Sequence, residues 1–166
     1  MQDLVAYNTS ILEKIDALLH QLTDDELKRP IKLLFGSSIG QHFRHILEFY
    51  SCLLTELDGD SFSYDRRQRN LLIETEVIAA RASAVRNISL LSGLPRDREL
   101  VMESELPGLS DLCVQRTTLK RELAYLADHG VHHLAMVRIA LEQELPQIIF
   151  PEHLGVAAST RNHRAR

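Results

Sequence analysis

The chain has 166 residues, of which 45% are hydrophobic and 25% are charged, and its formal net charge is −4 at pH 7 with neutral histidines. This length suits one hydrophobic core, so we expect residues 1–166 to form a single domain. The scattered basic residues argue against a nucleic-acid interface, and no apolar run reaches the roughly 20 residues of a membrane span.

The two cysteines, Cys52 and Cys113, are far apart in the sequence and lack the spacing of a metal-binding or redox pair. Nothing in the sequence resembles the disulfide framework of a small secreted protein. The chain also opens without a charged segment followed by an apolar one, as a secretory leader would have. We therefore expect free thiols and a cytoplasmic protein.

Two capping sequences mark helix starts in the first third of the chain. Apolar residues spaced by three, four and seven predict a first helix over about residues 3–22. The capping box Thr23-Asp24-Asp25-Glu26 predicts a short helix that ends at Pro30. A second capping box, Ser38-Ile39-Gly40-Gln41, predicts the start of another helix, which closes at Asp58-Gly59-Asp60.

Two further helices and a hairpin are predicted in the second half. The third long helix covers about residues 70–92 and ends at Gly93 and Pro95; its inward face is predicted to carry Leu71, Ile78, Val85 and Ile88. Alternating residues in segments 99–104 and 112–117 flank Pro107-Gly108 and predict a small two-stranded hairpin. The fourth long helix runs from about Thr117 to Glu144.

Residues 146–166 show no periodic pattern and are predicted to form an irregular C-terminal tail that can pack back onto the bundle. Four amphipathic helices with short connections are typical of a bundle. The predicted fold is therefore an all-α four-helix bundle, with a small β-hairpin between its third and fourth long helices.

The histidines suggest where the chemistry lies. The chain has eight, and five of them fall in two groups: His42 and His45 on the predicted helix after Ser38, and His129, His132 and His133 within the fourth long helix. Residues four apart stand one above the other, so His129 and His133 can direct both rings to one ion, whereas His132 is rotated outward. Imidazole suits zinc, nickel, iron or copper. Such a site needs a third ligand, which the other group can supply.

A simpler explanation is one satisfied core histidine and two solvent-facing ones, because a pair of histidines four apart arises easily by chance among eight. Two groups beside the apolar stripes of different helices favour the metal site, since a buried imidazole needs partners for both nitrogens. Helical-wheel geometry places His42 nearer the centre of its stripe than His45.

The segment from Ser38 to Leu47 resembles a motif of the DinB/YfiT-like superfamily, in which a ligand histidine follows the serine by seven residues and corresponds to His45. The run Asp128-His129-Gly130-Val131-His132-His133 resembles its second motif, whose first and last histidines bind metal. The resemblance extends to Tyr64-Asp65-Arg66-Arg67 and to residues 150–160. It therefore implies His45, His129 and His133 as metal ligands, with His42 beside them.

The resemblance implies a four-helix bundle with a three-histidine metal site, and often a homodimer. The expected ion is divalent, zinc or nickel first, with iron as an alternative. Members that the chain resembles include thiol S-transferases and a thiol-dependent isomerase. The implied function is metal-dependent chemistry on a small molecule, with a low-molecular-weight thiol as partner, or hydrolysis. Ser37 replaces the usual aromatic residue and Leu134-Ala135-Met136 the usual Arg-Gly-Gln, so the substrate does not transfer.

Two questions stay open at the level of sequence. A non-catalytic metal-binding or partner-binding helical domain is the competing class, because few polar residues accompany the histidines. Glu48 and Asp128 either orient the imidazoles or are solvated surface carboxylates. No further catalytic residue is assigned, and Cys52 is expected in the core.

Overall fold

The structure, a computed structural model, describes residues 1–94, 96–108 and 111–164, except for the side chains of residues 162 and 164. Over these residues it contains seven α-helices, four of them long, and a two-stranded antiparallel hairpin, which confirms the predicted fold class. The elements are α1 (Gln2–Leu19), α2 (Asp24–Lys28), α3 (Ile39–Thr55), α4 (Leu72–Thr75), α5 (Val77–Ser92), β1 (Glu99–Ser104), β2 (Cys113–Thr118), α6 (Leu119–Glu144) and α7 (Ala158–Arg164).

Both predicted capping boxes are present. The Thr23 side chain accepts a hydrogen bond from the Glu26 backbone, and the Glu26 carboxylate accepts one from the Thr23 backbone. Ser38 and Gln41 do the same at the start of α3. Each cap satisfies backbone N–H groups that a helix start leaves unpaired. The Ser38 cap fixes where α3 begins and so places both of its histidines in the first two turns.

The core lies between the four long helices, because α1 and α3 each pack against α5 and α6. Its largest fully buried side chains are mostly leucine and isoleucine, together with Tyr50 and Phe43. Gly130 lets α6 approach α1 closely, since a Cβ there would lie 3.1 Å from Cγ2 of Ile11. This close approach occurs in the stretch of α6 that carries the histidines.

The predicted third long helix is wrong in two respects. Glu76 has an extended backbone, with φ −127° and ψ 118°, and divides the segment into α4 and α5. The face predicted to point inward is largely exposed: Leu71 is 60% exposed, Ile78 77% and Val85 56%. The residues buried on α5 are instead Ala80, Ala84, Asn87 and Leu91. The break shifts the helical phase, and small alanines allow α5 to pack closely on its neighbours. The predicted end of this helix included Pro95, which lies outside the described residues.

The C-terminal segment is more ordered than its sequence predicts. It contains the short helix α7, and Ile148 and Leu154 are buried. Gly155, with φ +67°, allows the chain to lie against α6, because a Cβ at this position would be 2.5 Å from Cα of Ala135. Among the described helices, none combines the length and the hydropathy needed to cross a membrane. Cys52 is buried, Cys113 is half-buried, and no disulfide joins them.

Candidate metal centre

Three histidines from two helices converge on one point. His45 of α3 and His129 and His133 of α6 each contribute a ring nitrogen, and these three atoms lie within 4.8 Å of one another. The closest pair is Nε2 of His45 and Nε2 of His129, at 2.9 Å. His132 on α6 is exposed, as predicted. The structure thus brings together the three side chains that the sequence motifs select.

The geometry and charge of the three rings fit a first-row divalent ion. Two nitrogens bound at about 2.1 Å lie roughly 3.0–3.4 Å apart for bond angles between 90° and tetrahedral, close to the observed 2.9 Å. Burial, and then the neighbouring imidazoles, lower the pKa of His45 to about 4 and that of His133 to about 3; Arg67 and Arg44 also lower the pKa of His45. Burial also lowers the pKa of His129. At neutral pH all three rings are therefore uncharged and offer lone pairs.

His42 lies beside the trio and contacts only one member through a ring nitrogen. Its Nδ1 is 3.0 Å from Nδ1 of His133, so one of these nitrogens donates to the other. When His133 donates, its Nε2 keeps the lone pair that a metal requires. The helical wheel favoured His42 because it uses only the apolar stripe of α3 and does not specify where α6 lies. The imidazoles of α6 approach from one flank of the stripe, and there His45 is the nearer residue.

The sequence motifs indicate no role for Arg67, which contacts His45 directly. Its Nη2 is 3.3 Å from Nδ1 of His45, and its Nε is 3.6 Å from Oε2 of Glu48. Glu48 is 4% exposed and accepts a hydrogen bond from the Asn70 backbone; burial raises its pKa. It is therefore no surface carboxylate, yet Arg67 stands between it and His45. Asp128 is exposed.

The model of the DinB family matches residues 1–144. The chain belongs to the DinB family. FK506-binding protein 5 of Rhizopus delemar is 30% identical to it over 106 residues, which are 61% of this chain and 27% of that protein. The chain thus spans about a quarter of that relative's length. No solved structure matches the chain significantly.

Aromatic rings wall the histidines of this DinB-family chain. Phe49 stacks on His129 at a centroid distance of 4.8 Å and on Tyr64 at 4.8 Å, and Tyr125 stacks on His129 at 5.5 Å. Sequence analysis missed Tyr125 as a site residue. The signal was available, because Phe49 follows His45 by four positions and Tyr125 precedes His129 by four.

A buried carboxylate anchors this aromatic wall. Glu122 is fully buried and accepts hydrogen bonds from the hydroxyl of Tyr64 at 3.0 Å and from the hydroxyl of Thr117 at 2.6 Å. Arg121 also donates to it, at 2.8 Å. Since Tyr64 is fixed at its hydroxyl end and stacked on Phe49, the network restrains the ring that packs on His129. The arrangement holds one imidazole in a defined orientation.

Proposed function

We propose that this chain is a metal-dependent enzyme in which His45, His129 and His133 bind one divalent ion, zinc or nickel. The observation that carries the proposal is the convergence of three neutral imidazole nitrogens within 4.8 Å. Three protein ligands leave a position for substrate, as in catalytic rather than structural zinc sites. Membership of the DinB family supports the same interpretation.

The proposed reaction is transfer involving a low-molecular-weight thiol and a small electrophile. A divalent ion bound by the three rings would lower the pKa of a coordinated thiol and so supply the nucleophile. The resemblance of the histidine motifs to those of thiol transferases favours a thiol over water as the group activated. The chain's own cysteine is a poor candidate nucleophile, because burial raises the pKa of the Cys52 thiol to about 11.

Neighbouring side chains have supporting roles in this proposal. His42 orients the ring of His133 through their shared hydrogen. Phe49 and Tyr125 restrict rotation of His129 and keep water from its faces. The contacts of His42, Phe49 and Tyr125 keep a ligand nitrogen correctly directed. Arg67 disfavours protonation of the His45 ring, but as a donor to Nδ1 it also opposes the tautomer that carries its hydrogen there.

Metal content and turnover of the same preparations test the proposal. The wild-type protein is expected to hold one ion per chain and to conjugate a small thiol to an electrophilic fluorogenic probe. His129→Ala is expected to lose both properties. His132→Ala, an exposed histidine on the same helix, is the matched control and is expected to keep both.

Two outcomes would count against an enzyme of this kind. Stoichiometric metal without turnover of thiol or ester substrates favours the non-catalytic, metal-binding alternative. Turnover that survives in metal-free His129→Ala removes the histidines from the chemistry. A homodimer, which the family resemblance implies, is also proposed, and light scattering of the purified protein tests it. A cytoplasmic location is a separate proposal that does not rest on the resemblance.

A further inference from the structure

A polar cavity of about 500 Å³ has Arg67, the residue that contacts His45, in its lining. Its walls are the C-terminal half of α3, the loop over residues 61–68, and α5. This volume falls in the range of small-molecule sites. Charged and hydroxyl side chains dominate its lining, including Glu48, Glu56, Ser63, Arg66, Arg67 and Arg86.

Buried polar atoms that lack hydrogen-bond partners line the cavity. Oγ of Ser63 is buried and has none; the residue is 7% exposed. Oε2 of Glu48 and Nε of Arg67 are also buried and lack hydrogen bonds, but they face each other at 3.6 Å. Leaving a buried polar group unpaired costs about 1–3 kcal/mol, so native proteins nearly always satisfy it. The Ser63 hydroxyl can donate or accept, so a polar ligand can satisfy it.

Two opposite charges without ion-pair partners stand at the exposed parts of the same cavity. Arg86 of α5 and Glu56, the residue that follows α3, are exposed and line it. Neither forms an ion pair with any residue in the part of the chain that the structure describes, so the two lie more than 4 Å from each other. Arg66, by contrast, is paired with Glu103. The cavity therefore presents a separate anion and a separate cation.

We propose that this cavity binds a small zwitterionic molecule of the amino-acid or short-peptide class. Its carboxylate pairs with Arg86, and its ammonium pairs with Glu56. Arginine suits a carboxylate because its planar donors match the two oxygens. A dipeptide is short enough for the cavity and carries its two charges at opposite ends.

The proposal goes beyond the proposed metal chemistry and does not depend on it. The cavity has Arg67 in its lining. Arg67 contacts Nδ1 of His45, whereas Nε2 of His45 faces His129. Binding there therefore needs no metal. Peptide binding that is equal in the wild type and in His129→Ala would separate the two proposals, since that variant alters only the metal centre.

Titration calorimetry with three forms of one dipeptide tests the charge requirement. Alanyl-glutamine is the probe, its N-acetylated form lacks the ammonium, and its C-terminally amidated form lacks the carboxylate. The free dipeptide is expected to bind, and each blocked form is expected to bind roughly tenfold more weakly or not at all. No heat of binding for the free dipeptide, or equal affinity for all three forms, overturns the proposal.

Substitutions at the exposed charges locate the site without endangering the core. Arg86→Gln is expected to weaken binding of the free dipeptide roughly threefold to tenfold and to leave the amidated form unaffected. Glu56→Gln is expected to weaken binding of the free dipeptide to the same extent and to leave binding of the acetylated form unaffected. Lys120→Gln and Glu13→Gln neutralise exposed charges elsewhere and are the matched controls. Losses no larger than those of the controls place the peptide outside this cavity and refute the assignment.

Discussion

Helix α3 carries two polar groups that differ in chemistry. Its first half presents imidazoles to α6, where ring nitrogens meet at 2.9 and 3.0 Å and burial lowers their pKa values. Its second half presents the carboxylate of Glu48 to the loop over residues 61–68, where Glu48 and Arg67 face each other at 3.6 Å without a hydrogen bond. Neutral lone pairs that converge suit a cation, whereas opposed charges with unpaired atoms suit a polar organic ligand. Arg67 touches both groups.

Removal of His45 is expected to have the largest effect on the imidazole group. His45→Ala should weaken zinc binding by more than about 100-fold, because loss even of an outer partner of a ligand costs roughly 10–100-fold. Competition with a chromophoric chelator measures the affinity. His132→Ala on α6 is the control and should bind zinc as the wild type does. Unchanged zinc affinity in His45→Ala would contradict the assignment of the imidazole group on α3 as a cation site.

The next largest effect is expected from acidification, which should destabilise the metal-free protein through the imidazole group. The pKa values of His45 and His133 are about 4 and 3 in the folded protein but about 6.5 in the unfolded chain. The unfolded state therefore takes up protons first as the pH falls below about 6.5, and metal-free protein loses stability between pH 7 and 5. Above this range both states are neutral and the contribution is constant.

Thermal unfolding of chelator-treated protein checks this dependence on pH. His45→Gln removes one of the groups and should flatten the fall in Tm between pH 7 and 5. His132→Gln, which removes an exposed imidazole, should leave the slope as it is. A slope that is the same in all three proteins would contradict the view that the imidazole group is held neutral by burial.

His42 tests whether the imidazole group extends beyond three ligands. His42→Phe keeps a ring and removes the nitrogen that faces His133, and we expect zinc affinity to fall about tenfold. His42→Gln, which retains a hydrogen-bond acceptor, should recover part of the loss. If His42→Phe abolishes binding while His45→Ala preserves it, His42 rather than His45 is the ligand on α3.

Substitution of Arg67, which contacts both groups, is expected to have the smallest effect on zinc affinity. Its guanidinium can only donate, so it competes with the ring hydrogen that Nδ1 of His45 must carry when Nε2 binds a metal. Arg67→Gln offers an oxygen acceptor instead and should raise zinc affinity by up to about tenfold. Arg66→Gln, a change in the next residue, is the control. A fall in affinity would mean that Arg67 supports His45 in its present contact.

Local sequence patterns predicted those parts of the molecule that local physics controls. Both capping boxes satisfy backbone groups within four residues, and so the starts of α2 and α3 were correct. Spacing alone predicted that His129 and His133 share a face. The choice of His45 over His42 came from family resemblance, because a helical wheel does not specify from which side α6 approaches.

The errors lie where neighbours override the local pattern. Apolar spacing placed Leu71, Ile78 and Val85 inward, but the break at Glu76 and the close packing allowed by Ala80 and Ala84 turned a different face to the core. Glu48 carried no signal of burial in a stretch of polar and apolar residues. Arg67 is 22 residues away from His45, so its contact depends on the path of the loop between α3 and α4.

The sequence by itself determined the helical class, the helix starts, the hairpin and the two histidine groups, because short-range hydrogen bonds and a fixed 3.6-residue period decide them. Only the tertiary structure decided which α3 histidine joins the α6 pair, that Arg67 separates Glu48 from His45, and that charged side chains of α3, α5 and one loop enclose a cavity. These features depend on how distant segments approach each other, and no repeat within one segment encodes that approach.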